Sequence, residues 1–176
     1  MANKEALREL QSRLAARLSA ARSQERATSW LAVECARQGF LLPLEQAGEI
    51  FALVPLVGVP HTHDWFLGVA NLRGGVYGVV DLARFVGLAR EPAEAQRDEA
   101  RLVVFNPSFN LNCALLVDRL AGLRNPEQLS ADSDDDTEHE RPPFAGGRYR
   151  DAQGRAWQEL NLAALVGDDV FMRIVG

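Results

Sequence analysis

The 176-residue chain is poor in the residues that build metal and redox chemistry, with two cysteines and three histidines. Cys35 and Cys113 lie far apart, each in an apolar run, "LAVECA" and "LNCALLVD". Placed that way they are expected as buried free thiols in a reducing compartment, not as a disulfide. Long hydrophobic runs are also missing. The longest, "IFALVPLVGVP" at 50–60, is interrupted by Pro55 and Gly58 and falls short of the roughly 20 residues a bilayer requires. The opening "MANKEALRELQ" has no apolar signal core, so a cytoplasmic protein is expected. Nor is there an excess of positive charge. A formal net charge of −5 argues against a general nucleic-acid binder, because neutralising phosphates takes clustered Lys and Arg.

What is present is apolar material for one domain, or for two small subdomains sharing a core, since 47% of the residues are hydrophobic. The charge is unevenly spread. Lys4, Arg8, Arg13, Arg17, Arg22 and Arg26 outnumber Glu5, Glu9 and Glu25, so a basic arm precedes an acidic body. Between Lys4 and Arg26 there is no Pro or Gly, and Leu7, Leu10, Leu14, Leu18 and Ala21 recur at spacings of three and four. This predicts an amphipathic helix within residues 1–28. Its stripe could dock on its own domain or serve a partner, and the sequence leaves both open.

After Ser29 the pattern changes to short strands. "WLAVECAR" and "FLLPL" flank Gly39 as an expected hairpin, and "GEIFALV" and "GVYGVVDL" follow. "RLVVFN" and "LNCALLVD" flank the turn "NPSFN" as a second hairpin. In "LNCALLVD" both alternating faces are largely apolar, which predicts a strand covered on both sides. Many short strands at this spacing predict small β-barrels or a sandwich. Residues 89–100, "AREPAEAQRDEA", are charged and expected to divide the body near its middle. Residues 125–143 form an acidic stretch expected to remain an unordered loop. "GGRYRDA", "AWQEL" and the apolar end "LAALVGDDVFMRIV" complete the domain, residues 29–176.

"GVANLRGGVYGVVDL", 68–82, packs four glycines around one arginine. A phosphate loop follows a strand and opens a helix. Here Trp65, Val69 and Leu72 behind Asp64 have helical spacing and the strand-like residues come after the glycines, so the order is reversed. The expected arrangement is a helix ending near Asn71, a tight Gly74-Gly75 turn, and Arg73 at the corner. Arg73 is either an ordinary surface arginine or an interface anchor whose guanidinium Glu49 fixes from across the fold. "HTHD" carries His61 and His63 in a pattern metallohydrolases use, but a metal needs more ligands, and the third histidine, His139, lies in the acidic stretch. No metal is expected. Asp132, Asp134 and Asp136 alternate like a calcium loop, yet Thr137 stands in place of its glycine and Pro143 in place of its glutamate. There is no G-x-S-x-G, and neither cysteine has a polar setting, so no catalytic residue is assigned.

"FLGVANLRGGVYGVVDL" resembles the pattern of CheW-type coupling proteins of bacterial chemotaxis, in which a short helix runs into N-L-R-G and a strand ending in D-L. "WLAVECARQGFLLPLEQAGEI", "RLVVFNPSFNLNCALLVDRLAGL" and "FAGGRYRDAQGRAWQELNLAALV" are similar to other segments of that family, so the resemblance covers about residues 29–166. The long N-terminal helix and "VANLRG" resemble most the PilI-type branch attached to type IV pilus and twitching-motility systems. The resemblance implies two small five-stranded SH3-like β-barrels sharing a core, no catalysis and no cofactor. It implies an adaptor between the cytoplasmic tip of a methyl-accepting chemoreceptor and the regulatory domain of a CheA-like histidine kinase, recruited to membrane-associated receptor arrays. Arg73 matches the N-L-R-G arginine and Glu49 its glutamate partner. Gly68 and Leu123 match positions lining the receptor groove, and Asn71 and Leu72 of the motif are placed with them. Gly74 and Gly75 become turn residues.

The sequence departs from the family pattern in places. Gly78 stands where the strand usually has Pro. The acidic stretch is longer, and Gln158 and Glu159 are expected to weaken the last strand. Two other readings stay open: a metal-dependent hydrolase using His61 and His63, and a CheW-like scaffold that has lost one partner.

Overall fold

The computed structural model describes residues 29–89, 98–132 and 141–176, and before them only Arg13 and Ala16, both helical and exposed. The rest of the expected 1–28 helix, most of the 89–100 connection and the centre of the acidic stretch lie outside the described residues. Eleven strands form two sheets among these residues. Trp30–Cys35 (β1), Gln38–Pro43 (β2), Arg119–Arg124 (β8), Leu129–Ala131 (β9), Ala145–Asp151 (β10) and Ala156–Leu160 (β11) build the first, in the order β8-β1-β2-β11-β10-β9. Ala47–Ala52 (β3), Phe66–Leu72 (β4), Gly75–Asp81 (β5), Arg101–Phe105 (β6) and Cys113–Val117 (β7) build the second, in the order β3-β6-β7-β5-β4. The second sheet is thus an insertion between β2 and β8 of the first.

Alternation decides how the sheets share a core. Every residue of β1 is buried. Leu31, Val33 and Cys35 face a cluster that also takes Phe40, Leu42, Val80, Val103, Phe105, Leu115 and Val117, so it draws on both sheets. Trp30 and Ala32 face a smaller cluster with Leu41 and Trp157, inside the first sheet. On the other side, Ala70, Leu72, Val79, Leu102, Val104 and Leu116 form a third cluster inside the second sheet. The period of two thus gives each central strand one face in the shared core and one in its own barrel. Both cysteines are buried and unbridged. Among residues 29–89, 98–132 and 141–176 three short α-helices accompany the strands: Leu82–Phe85 (α1), Leu162–Val166 (α2) and Asp169–Met172 (α3). Asp81, the aspartate of the D-L pair, caps α1 by accepting from the Arg84 amide.

Several local expectations are corrected. The helix expected before Asn71 is strand β4, whose residues Phe66, Gly68, Ala70 and Leu72 are buried at a period of two. The Trp65, Val69, Leu72 spacing fits a helix by coincidence, and pairing with β5 over six positions decides the outcome. The first hairpin turns at Ala36 and Arg37, with φ of 48° and 67°. Gly39 lies inside β2, where a Cβ would fall 2.6 Å from the Trp157 ring. The acidic stretch is ordered at its start: Asn125 and Gln128 form a capping box, β9 pairs with β10, and Asp132 meets Arg150 at 3.0 Å. That adds a sixth strand to the first sheet. Residues 89–100 separate β5 and α1 from β6 within one sheet, so they do not mark the boundary between the two sheets. Gln158 and Glu159 fit inside β11 because each is paired: Gln158 donates to the Gly146 carbonyl, and Glu159 accepts from the Trp30 indole at 2.7 Å.

Candidate functional site: a hairpin-tip arginine

The β4–β5 hairpin pairs Leu72 with Gly75, which leaves Arg73 and Gly74 as its two turn residues. Their φ angles are 50° and 84°. Positive φ at both central positions is the type I′ geometry that tight hairpins require. The turn is therefore Arg73-Gly74 and not Gly74-Gly75. Asn71 completes it by accepting the Gly74 amide at 2.9 Å. A bulky residue in the left-handed region is held at some cost.

The turn aims the guanidinium at β3. Arg73 Nη1 donates to Glu49 Oε1 at 2.9 Å, and the guanidinium carbon lies 5.7 Å from the centre of the Phe51 ring. β3 and β4 are the two outer strands of the five-stranded sheet, so the arginine joins one end of the sheet to the other. Both side chains remain open to solvent, at 74% for Arg73 and 55% for Glu49.

The other expected site residues divide by role. Leu72 is buried in the core of the second sheet and supports the hairpin from below. Gly68 has φ +123°, and a Cβ there would come 2.1 Å from the Val57 carbonyl oxygen. It lets Val57 pair with Val69 by two backbone hydrogen bonds of 2.9 Å, which binds residues before β4 onto the sheet edge. Leu123 lies on the other sheet, in β8, opposite the core residue Leu31, and is 58% exposed. The structure thus brings Arg73, Glu49, Asn71 and Gly74 together and places Leu123 on a separate strand edge.

One cluster escaped sequence reading. Glu34, on β1, accepts two hydrogen bonds from Arg119 at 2.7 and 2.8 Å and another from Arg155. Burial pushes its carboxyl upward, but the hydrogen bonds from Arg155 and Arg119 outweigh it and hold the group below its ordinary value. A glutamate between Val33 and Cys35 on a fully buried strand was the available signal.

His61 and His63 belong to a turn that holds the chain's last residues. The His63 amide donates to the Ile174 carbonyl and its ring stacks on Trp65 at 5.3 Å. Among the described residues no three His, Cys, Asp or Glu side chains converge as metal ligands. Nor is any helix among them long and apolar enough to cross a membrane.

Two curled sheets fused through one core, with an ion-paired arginine on a strained hairpin tip, define an all-β module of paired SH3-like barrels. The chain belongs to the CheW-like domain family, whose pattern matches residues 29–170. It is 31% identical over 115 residues to Protein PilI of Pseudomonas aeruginosa, an alignment covering 64% of this chain and 61% of that protein. The chain therefore spans under two thirds of that relative's length. The crystal structure of the scaffolding protein TtCheW from Thermoanaerobacter tengcongensis superposes with a TM-score of 0.62 at 16% identity, over 76% of this chain and 88% of that one. That likeness is one of fold.

Proposed function

We propose that this protein is a non-enzymatic adaptor that joins a methyl-accepting chemoreceptor's cytoplasmic tip to the regulatory domain of a CheA-like histidine kinase, in control of type IV pilus twitching motility. The observation that carries the reading is Arg73, held in a strained turn and aimed by Glu49 while three quarters of its side chain stays in solvent. A stable fold gains little from such an arrangement, whereas a partner gains a preset cation. Membership of the CheW-like family and the likeness to Protein PilI support this reading.

In this account Arg73, Glu49, Asn71 and Leu123 meet the receptor hairpin as a helix-in-groove contact. Gly68, Leu72, Gly74 and Gly75 set the backbone that presents them. The protein works in the cytoplasm at receptor arrays, where many modest contacts add up. Coupling passes as shifts in population between bound states and needs no chemistry in this chain. Calorimetric titration against a receptor-tip hairpin and, separately, a kinase regulatory domain from the same cell tests it. Binding to both is expected; binding to one alone indicates a scaffold that has lost a partner, and binding to neither overturns the proposal.

A further inference from the structure

Two apolar features of this chain, one in its sequence pattern and one on its folded body, are without an assigned partner. One is the leucine stripe of residues 4–26: Leu7, Leu10, Leu14, Leu18 and Ala21. The other lies on the folded body. Val57, Val59, Val170, Met172 and Val175 are all exposed, up to 68% at Val57. The segments that carry them are fastened together by a Thr62–Val175 bridge, the His63 amide on the Ile174 carbonyl and the Gly176 amide on the His61 carbonyl. α3 is anchored by Phe171, which is buried against Trp65, Phe85 and Phe105, so Val170 and Met172 are left outside.

We infer that residues 4–26 dock their leucine stripe on this face of the same molecule. The chain enters the body at Ser29, which connects through β2 and its following turn to the start of α2. Ser29 accepts the Leu44 amide, and two residues on, Gln46 accepts the amides of Leu162 and Ala163 at the start of α2. α2 turns through Gly167 directly into α3. A helix over 4–26 would be about 35 Å long, comparable to the diameter of a small domain. Charge agrees with the pairing. The arm is net basic, while Asp168 and Asp169 flank the patch against one cation, Arg173, and the rest of the body is net acidic. Tethering decides between this occupant and a second copy. A segment joined by a short linker acts at an effective concentration near 1 mM, about 100-fold above a protein solution at 10 µM.

Gln11, beside the stripe, offers a crosslinking position. The full chain carrying Q11C with V170C is treated with a short bis-maleimide at about 10 µM, with Q11C/V76C as the control pair on the β5 face. The native thiols are buried, and Cys113 is pushed up to about 12, so they stay unmodified. The inference expects a monomeric crosslinked product whose rate does not change with protein concentration and exceeds the control pair by about 10-fold or more. Adding L14E and L18E, which place charges in the leucine stripe of the sequence, abolishes it. Dimeric product growing with concentration assigns the face to a second copy and overturns the inference. So does equal product from the V76C control, no product at all, or a product that survives L14E and L18E.

Discussion

Arg73 and Glu49, 2.9 Å apart, connect the tip of the β4–β5 hairpin to β3, the opposite edge of the same five-stranded sheet. The pair closes the sheet on its solvent side. Because both partners are more than half exposed, screening limits its stabilising effect to about 0–1 kcal/mol. Relief of the left-handed strain at Arg73 is of similar size and opposite sign. Arg73→Gly is therefore expected to leave the thermal midpoint within a few degrees of wild type, or slightly above it. Differential scanning calorimetry checks this, and a fall of about 10 °C would show that the pair is structural.

Two positive-φ glycines of the motif region, Gly68 inside β4 and Gly74 in the hairpin turn, separate by what surrounds them. Gly68→Ala drives a Cβ into the Val57 carbonyl and breaks the Val57–Val69 bridge, with an expected loss above about 2 kcal/mol. Gly74 has positive φ but open space around it, so Gly74→Ala is expected to cost about 1 kcal/mol. Urea unfolding of the two variants side by side reads the difference, and equal losses would contradict the geometry.

Glu34 sets an acid limit on stability. Its folded carboxyl lies below the unfolded value, so its contribution is fully present above that value and fades as pH falls through the folded one. As pH falls below the ordinary carboxylate range the wild type is expected to lose stability that Glu34→Gln does not lose. At neutral pH, Glu34→Gln weakens three charge-assisted hydrogen bonds and costs about 2 kcal/mol. Denaturant unfolding at several pH values measures both, and parallel pH curves would remove Glu34 from the account.

Cys113 is buried among apolar side chains, which pushes its thiol up to about 12. Native protein at pH 8 is expected to resist iodoacetamide at this position, and unfolded protein to react. Mass spectrometry after a timed pulse resolves the two states. Rapid native labelling of Cys113 would show that the shared core opens.

Strand content was legible wherever alternation was strong. "WLAVEC", "RLVVF" and "CALLV" read as strands, the last with two covered faces, and all three are interior strands of their sheets. Arg73 and Glu49 were legible as a pair because Glu49 lacked a local basic partner while Arg73 stood in a glycine-rich corner. The β4 strand was not, since Trp65, Val69 and Leu72 satisfy a helical period and only its pairing partner excludes a helix. Turn positions were misjudged where Ala36-Arg37 and Arg73-Gly74 adopt positive φ without the usual glycine at both places. Glycine was read as a turn signal at Gly39, whereas its purpose is room for Trp157, a residue more than a hundred positions away. Such long-range contacts leave no local trace in a sequence.

The central claim is that the Arg73 tip meets the receptor and leaves the kinase surface alone. Calorimetric titration of wild type and Arg73→Gly against the receptor-tip hairpin and the kinase regulatory domain tests this most directly. The account predicts receptor affinity falling by about 10-fold or more, as for loss of an arginine anchor, with kinase affinity unchanged. Unchanged receptor affinity in the folded variant, or an equal loss of both partners, would contradict it.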